Sequence, residues 1–312
     1  MALRRVSKAA TVREEVLARR AERFTPYILE AAFRIARQIG ARAVMLYSDV
    51  LTDWQQLPQE KDLKVFLITQ TATETTSALG HAEHVLQVPD VPMDRLSKIK
   101  MAILKALSLG LLKKGDRLVC LSGMAHLSEL DTLLVLEVGD EFELFGRGDV
   151  SLHLMEGIRP EVFHVVLGIA AELSYEGREG RPVGAFFVIG DHEAVLRRSK
   201  PLILNPFKGY SEQQRQILRP ELKETVKELA SLDGAFVIRG DGVIEAAGLM
   251  LLGSSEIQGL TPGLGTRHLA AAAITAATKA LAITVSASTG TLTVFKEGQK
   301  VLQIERSAPY KA

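Results

Sequence analysis

Between Leu232 and Gly290, short β-forming runs alternate with turn signals and a single alanine-rich run, and few folds other than a sheet with a helix packed on it accept that order. Asp233-Gly234-Ala235 opens an apolar run, which Arg239-Gly240-Asp241-Gly242 turns into a second run from Val243 to Gly248. Gly263-Leu264-Gly265-Thr266-Arg267-His268 opens the alanine-rich run, and Ser286-Ala287-Ser288-Thr289-Gly290 separates two further β-rich runs. The pattern predicts strand, turn, strand, glycine-rich loop, helix, strand, hydroxyl-rich turn and strand. Chemistry belongs in the loops, where side chains are free to meet a ligand.

A chain of 312 residues is longer than a single hydrophobic core usually serves, so two domains are expected. The formal net charge of +1 gives no global field for nucleic acid or an anionic membrane, and neither is expected as a partner. The lone cysteine, Cys120, has no partner for an internal disulfide; it reads as a buried thiol in a reducing cytoplasm. The longest apolar candidate, Leu269 to Val285, is interrupted by Thr275, Thr278 and Lys279, so it reads as a core helix and a strand rather than a membrane span. Residues 1–23 carry seven Arg or Lys against three Glu and are expected to form a solvated helical arm.

From Phe24 onward, helical and β patterns alternate. A helix ends at Gly40, and strands are predicted at Ala43–Tyr47, Val65–Thr69, Val85–Val88, Arg117–Leu121 and Leu133–Val138, with an amphipathic helix from Asp94 to Leu112. Strands separated by helices argue a parallel α/β sheet. The strings "IGARAVML" and "LSLGLLKKGDRLVCLSGMA" resemble the C-terminal domain of pyruvate kinases, a resemblance that implies a fold and no catalytic site. Ser122 to His126 follows a strand end, where open α/β sheets can bind a small effector, although an ordinary loop is the simpler reading. His81, His84 and His126 lack metal-ligand spacing.

Phe145 to Asp149 concentrates glycine and charge and marks the domain boundary: an arm over 1–23, one domain over 24–148 and another over 152–312. Beyond it, a helix is predicted from Pro160 to Tyr175, a buried strand over Val183–Ile189, and a charged helix from Glu212 to Ala230. Gly184 in that strand stands where a Cβ would intrude on a neighbour or ligand. Asp233 at a strand mouth, followed by Gly234, lets a ligand or metal ion approach the backbone, although Asp-Gly is also a common turn. Thr266 falls at the N-cap of the alanine-rich helix, with Arg267 and His268 in its first turn. Cations are disfavoured beside the positive end of a helix dipole, so the pair points to a bound anion, preferably phosphate; incidental basic residues are the alternative. The hydroxyls of Ser286, Ser288 and Thr289 either form a plain hairpin turn or, if they lie beside the Thr266 loop, donate to phosphate oxygens.

In combination, "RPVGAFFVIGD", "NPFKGY", "LDGAFVIRGDGVIEAAG", "LGTRHLAAAAIT" and "ALAITVSASTGTLTVF" strongly resemble the diadenylate cyclase domain, over about residues 155–303. With the pyruvate-kinase-like domain in front, the layout is similar to that of the archaeal-type cyclases. The resemblance implies a mixed central β-sheet flanked by helices, condensation of two ATP into cyclic di-AMP and two pyrophosphates, and a face-to-face homodimer, with room for a hexamer through other surfaces. It assigns Asp233 to Mn²⁺ or Mg²⁺ and to catalysis, with Gly234 and Ala235 completing its motif. Gly265, Thr266, Arg267 and His268 are assigned to the phosphates, Arg267 and His268 catalytically. Ser286, with Ser288 in the same turn, is assigned to the phosphate tail, and Leu249 to the adenine pocket. Two positions depart from the family: Leu269 replaces a common arginine, and Ala287 a common glutamate. The alternative reading is therefore a catalytically weakened sensor that binds ATP or cyclic di-AMP.

Overall fold

The structure is a computed structural model that describes residues 24–50, 57, 63–79, 82, 84–124, 129–139, 155–178, 183–252 and 265–305. The expected N-terminal arm, the Phe145–Asp149 junction, His81, His126, Gly263 and Leu264 lie outside them. Apart from Pro89–Met93 and Leu107–Lys114, the described chain before Asp140 forms one compact unit and the chain after it another.

The first unit opens with helix α1 over residues 24–39, which buries Ala32, Phe33 and Ala36. Gly40, at φ +62°, stops it as expected, and the Ala41 N–H closes back on the Ala36 carbonyl at 2.8 Å. β1 (Ala43–Tyr47), β2 (Lys64–Thr69), helix α2 (Ala72–Ala78), β3 (His84–Gln87), helix α3 (Arg95–Ser108), β4 (Arg117–Met124) and β5 (Glu129–Glu137) follow. The sheet order is β3-β2-β1-β4-β5. The first four strands pair in parallel, as expected from helices between strands, while β5 returns antiparallel on β4. Cys120 is buried in β4, and burial pushes its thiol pKa up to about 12, so it is an inert core residue.

The second unit begins with α4 (Pro160–Glu176), whose Pro160 stands at the first helical position. It continues with β6 (Ala185–Ile189), α5 (His192–Leu196), β7 (Ser199–Pro201), α6 (Leu222–Leu229), β8 (Ala235–Ile238), β9 (Ile244–Leu251), α7 (Thr266–Ala277), β10 (Leu281–Val285), β11 (Leu292–Lys296) and β12 (Gln299–Ile304). The seven strands run β12-β11-β10-β6-β8-β9-β7, and only β6 and β8 are parallel neighbours, which makes the sheet mixed. The fold class is the one the sequence implies. Ala271, Ala272 and Ile274 of α7 pack with Val188, Val237, Ala282 and Phe295, and the alanines let the helix lie close to the strands.

One helix is shorter than the sequence pattern predicts. Of Glu212–Ala230, only Leu222–Leu229 is α-helical. Pro220 supplies no amide hydrogen for a helical ladder, and the backbone before it bonds to the β8–β9 hairpin instead: Ile217 N–H to the Gly242 carbonyl at 2.8 Å and Ile244 N–H to the Arg215 carbonyl at 2.9 Å.

Phe187 and Phe236 are register partners on β6 and β8, both buried, with ring centroids 5.2 Å apart. Phe187→Ala is expected to cost about 3–5 kcal/mol by leaving a cavity between them. Denaturant unfolding followed by circular dichroism measures the loss.

Candidate active site

Strand register decides which loops meet. Val285 of β10 lies beside Ala185 of β6, and Leu249 of β9 beside Ala235 of β8, with both pairs antiparallel and β6 parallel to β8. The residues that precede β6 and β8 and those that follow β10 therefore share one edge of the sheet. That edge holds Gly184, Asp233-Gly234 and Ser286–Gly290.

Gly234 has φ +109°, and a Cβ there would stand 2.5 Å from the Gly248 carbonyl carbon, so glycine is required where the Asp233 turn lies on the β9 backbone. This places the Asp233 side chain, 89% exposed, at the rim. Arg267 reaches it: Nη2 donates to Asp233 Oδ1 at 3.0 Å. The same guanidinium lies against Gly184, where a Cβ would stand 2.6 Å from Arg267 Nη1 and 3.0 Å from the Ala287 methyl. Residues 34 positions apart, with the β6 mouth and the hydroxyl turn, thus enclose one guanidinium. The intrusion expected of a Cβ at position 184 is the Arg267 contact.

Helix α7 starts one residue earlier than its sequence suggests. Gly265 is the N-cap, with no side-chain capping bond, and Thr266 is the exposed first helical residue. No hydroxyl competes for the first amides, which leaves the helix start suited to an anion. The next two residues diverge. Arg267 turns to the sheet edge, whereas His268 is only 9% exposed, its Nε2 3.3 Å from Thr293 Oγ1 and its ring edge-on to Phe295 at 5.9 Å. Burial first, and then the nearby Lys300 charge, hold the His268 pKa below its ordinary value. The expected convergence of both basic side chains is thus corrected to Arg267 alone. Adjacent residues stand about 100° apart around a helix of 3.6 residues per turn, so one faces the rim and the other the core.

The Ser286–Gly290 turn is closed by Ser286 N–H to the Thr291 carbonyl and Gly290 N–H to the Ser286 carbonyl, both 2.9 Å. Ser286 Oγ and Ser288 Oγ are 3.2 Å apart, and the Thr289 amide donates to Ser286 Oγ at 3.3 Å. From α4, Ser174 Oγ donates to the Gly290 carbonyl and braces the turn. Leu249 is buried next to Ala235. Beside it, Ile203 covers Gly248, and Leu202 N–H bonds the Gly248 carbonyl at 2.8 Å. Leu202 and Ile203 thus lay apolar residues along Gly248 that the sequence pattern did not single out, although "PLILNPF" places three apolar residues ahead of a turn.

The chain is similar to several known proteins. A family described as DisA bacterial checkpoint controller nucleotide-binding matches residues 172–300, and one described as "Probable sensor domain DacZ_P" matches residues 26–145. A diadenylate cyclase from Methanocaldococcus jannaschii is 31% identical over 90% of this chain and 97% of its own length. One from Haloferax volcanii is 33% identical over 73% of this chain and 82% of its own length. Among solved structures, a double-mutant DacA from Staphylococcus aureus aligns with 23% identity over 46% of this chain and 87% of that one, at a TM-score of 0.31. An α/β unit with a nucleotide-binding match and relatives of this kind is a nucleotidyltransferase. The chain belongs to the diadenylate cyclase family.

Gly184→Val is expected to push the Arg267 guanidinium off the sheet edge and lower turnover at least tenfold, with a far smaller change in unfolding midpoint; steady-state kinetics beside thermal unfolding separate the two. His268 supplies a pH dependence. Its folded-state pKa lies below the ordinary 6.5 of the unfolded chain, so the stability from keeping it neutral is complete above pH 6.5 and is lost as pH falls through the folded value. Unfolding midpoints at pH 7.5 and 5.5 should differ less in His268→Gln than in the natural chain.

Proposed function

We propose that the second unit condenses two ATP molecules into cyclic di-AMP, releasing two pyrophosphates, at a site completed when two copies of the chain face each other. The observation that carries this reading is the Arg267–Asp233 contact beside Gly184 and the uncapped start of α7. In each half-reaction a ribose 3′-oxygen bonds to the α-phosphorus of the other nucleotide, the bond from that phosphorus to pyrophosphate breaks, and the hydroxyl proton is released to solvent. Arg267 and the first amides of α7 grip the phosphates and offset the negative charge that spreads in the transition state. Ser286 and Ser288 donate to the phosphate tail. Leu249, with Gly234 and Ala235 opposite, receives the adenine. His268 positions the helix start from the core side, and Gly265 and Thr266 supply its backbone.

Among the described residues no group of three or more His, Cys, Asp or Glu is placed to hold a metal ion. A single exposed carboxylate at the phosphate site fits Mg²⁺ or Mn²⁺, which keep several waters and bind through one or two carboxylates plus substrate phosphates. Asp233 would hold that ion, which supplies charge neutralisation at the phosphates. No helix of the described residues is long and apolar enough to cross a membrane. We place the chain in the cytoplasm without a membrane or nucleic-acid partner, as a dimer during catalysis that can assemble further. Leu269, 44% exposed, and the exposed Ala287 leave the site without two charged groups common in the family. One such group is worth about 3 kcal/mol, on the order of a hundredfold in rate, which sets the turnover below that of members retaining both.

Purified protein incubated with ATP and Mn²⁺ or Mg²⁺ should yield cyclic di-AMP by mass spectrometry. Calorimetric ATP binding without product would instead support the weakened sensor. Asp233→Asn should cut product at least a hundredfold at an unchanged unfolding midpoint, and full turnover in that variant excludes the metal role. Arg267→Ala should weaken ATP binding and turnover together; unchanged kinetics would move the phosphate site elsewhere.

A further inference from the structure

Three side-chain oxygens of the first unit, Asp49 Oδ1, Ser122 Oγ and Glu129 Oε1, are buried without a hydrogen-bond partner among the described residues. Ser122 is fully buried and Glu129 is 8% exposed. Buried polar atoms are nearly always partnered, so several left over in one region point to something the chain does not itself supply.

The topology gathers them. β1 and β4 are parallel neighbours in register to Leu46 and Leu121, so Ser122 follows at the carboxyl end of β4, on the sheet face that carries Tyr47. Asp49 lies immediately past β1, in the helical turn Ser48–Val50. Glu129 opens β5 opposite Met124 and therefore lies at the same end of the sheet. β2 and β3 extend to one side of β1 and β4 lies on the other, so strand order reverses here, at the carboxyl ends where open α/β sheets take their ligands.

Helix α3 covers this end of the sheet and fixes its charge. Lys98 Nζ pairs with Asp49 Oδ2, Lys98 lies 5.0 Å from the Tyr47 ring centroid, and the Tyr47 hydroxyl donates to the Lys98 carbonyl at 2.7 Å. Arg95 Nε donates to Asp131 Oδ1 at 2.8 Å, and its Nη2 pairs with Asp131 Oδ2. The two cations cancel two carboxylates, while Glu129 has no ion-pair partner among the described residues and Glu74, which accepts from Ser48 Oγ at 3.0 Å and from the Gln70 amide at 2.9 Å, adds a second carboxylate at the same end. The free capacity is thus that of acceptor oxygens with negative charge in excess. An anion is opposed by that charge, and among the described residues no group of three His, Cys, Asp or Glu is placed to hold a metal ion tightly.

We infer that the carboxyl end of this sheet binds a small molecule bearing a primary ammonium group. Three N–H donors match in number the three oxygens of Asp49, Ser122 and Glu129, and a positive charge offsets the carboxylate excess. The site lies inside the stretch matched by the sensor-domain family, whose description names no ligand.

Thermal unfolding of the full chain in ammonium, methylammonium, tetramethylammonium, potassium and sodium chlorides at equal ionic strength tests the site. Ammonium and methylammonium should raise the midpoint saturably, while tetramethylammonium, which has no N–H, and the two metal cations should not. In Glu129→Gln and Ser122→Ala the apparent affinity should fall at least tenfold. Ser122→Ala removes only a hydroxyl, so it keeps the test readable should Glu129→Gln fold poorly. An equal shift with potassium makes the site a metal-ion site and overturns the inference. No shift with any amine, or an undiminished shift in both variants, overturns it as well, the former leaving internal water as the partner of these oxygens.

Discussion

The register of β6, β8, β9 and β10 is the constraint on which the second unit depends. A slip of one residue between any two of these strands would turn every side chain to the opposite face and carry a loop away from the shared edge. The Asp233–Arg267 pair reports this geometry more than it creates it. An ion pair with one partner 89% exposed is worth about 0–1 kcal/mol, whereas burying Phe187, Val188, Phe236 and Val237 stabilises the sheet by several times that. The pair is therefore weak enough for a nucleotide to exchange one of its contacts for a phosphate without unfolding the edge.

Glycine makes the same edge possible at two points. At Gly184 a missing side chain leaves room for a guanidinium, and at Gly234 a positive φ lays the Asp233 turn on the β9 backbone. Neighbouring residues of the helix start serve different ends: Arg267 faces the rim, and His268 closes the core against Thr293 and Phe295. A buried neutral imidazole beside a cationic rim lets the helix present one charge without desolvating two.

The first unit is stabilised differently. Its parallel strands bury apolar residues on both faces, yet the carboxyl ends of β1 and β4 retain polar groups that a purely structural core has no use for. An unsatisfied buried polar group costs about 1–3 kcal/mol, so several at one sheet end are a sizeable fraction of a small domain's stability. Oxygens at a topological switch point become intelligible when a ligand is part of the native state.

Local pattern sufficed for the elements: alternation and apolar runs located the strands, Gly40 the end of α1, Pro160 the start of α4, and the alanines of α7 a helix between strands. These signals are legible because backbone propensity and period act within a few residues. The motifs around Asp233, Arg267 and Ser286 could be read as candidate phosphate chemistry, and Gly184 as a crowded position, but only the family resemblance, not their spacing, put them in one place. Three matters needed the folded chain. Strand order brought Asp233 to Arg267, packing against Thr293 and Phe295 held His268 inward, and the β8–β9 hairpin claimed the backbone before Pro220. Each depends on pairing between residues distant in sequence, and the free energy of that pairing comes from burial and register, which no short window of sequence contains.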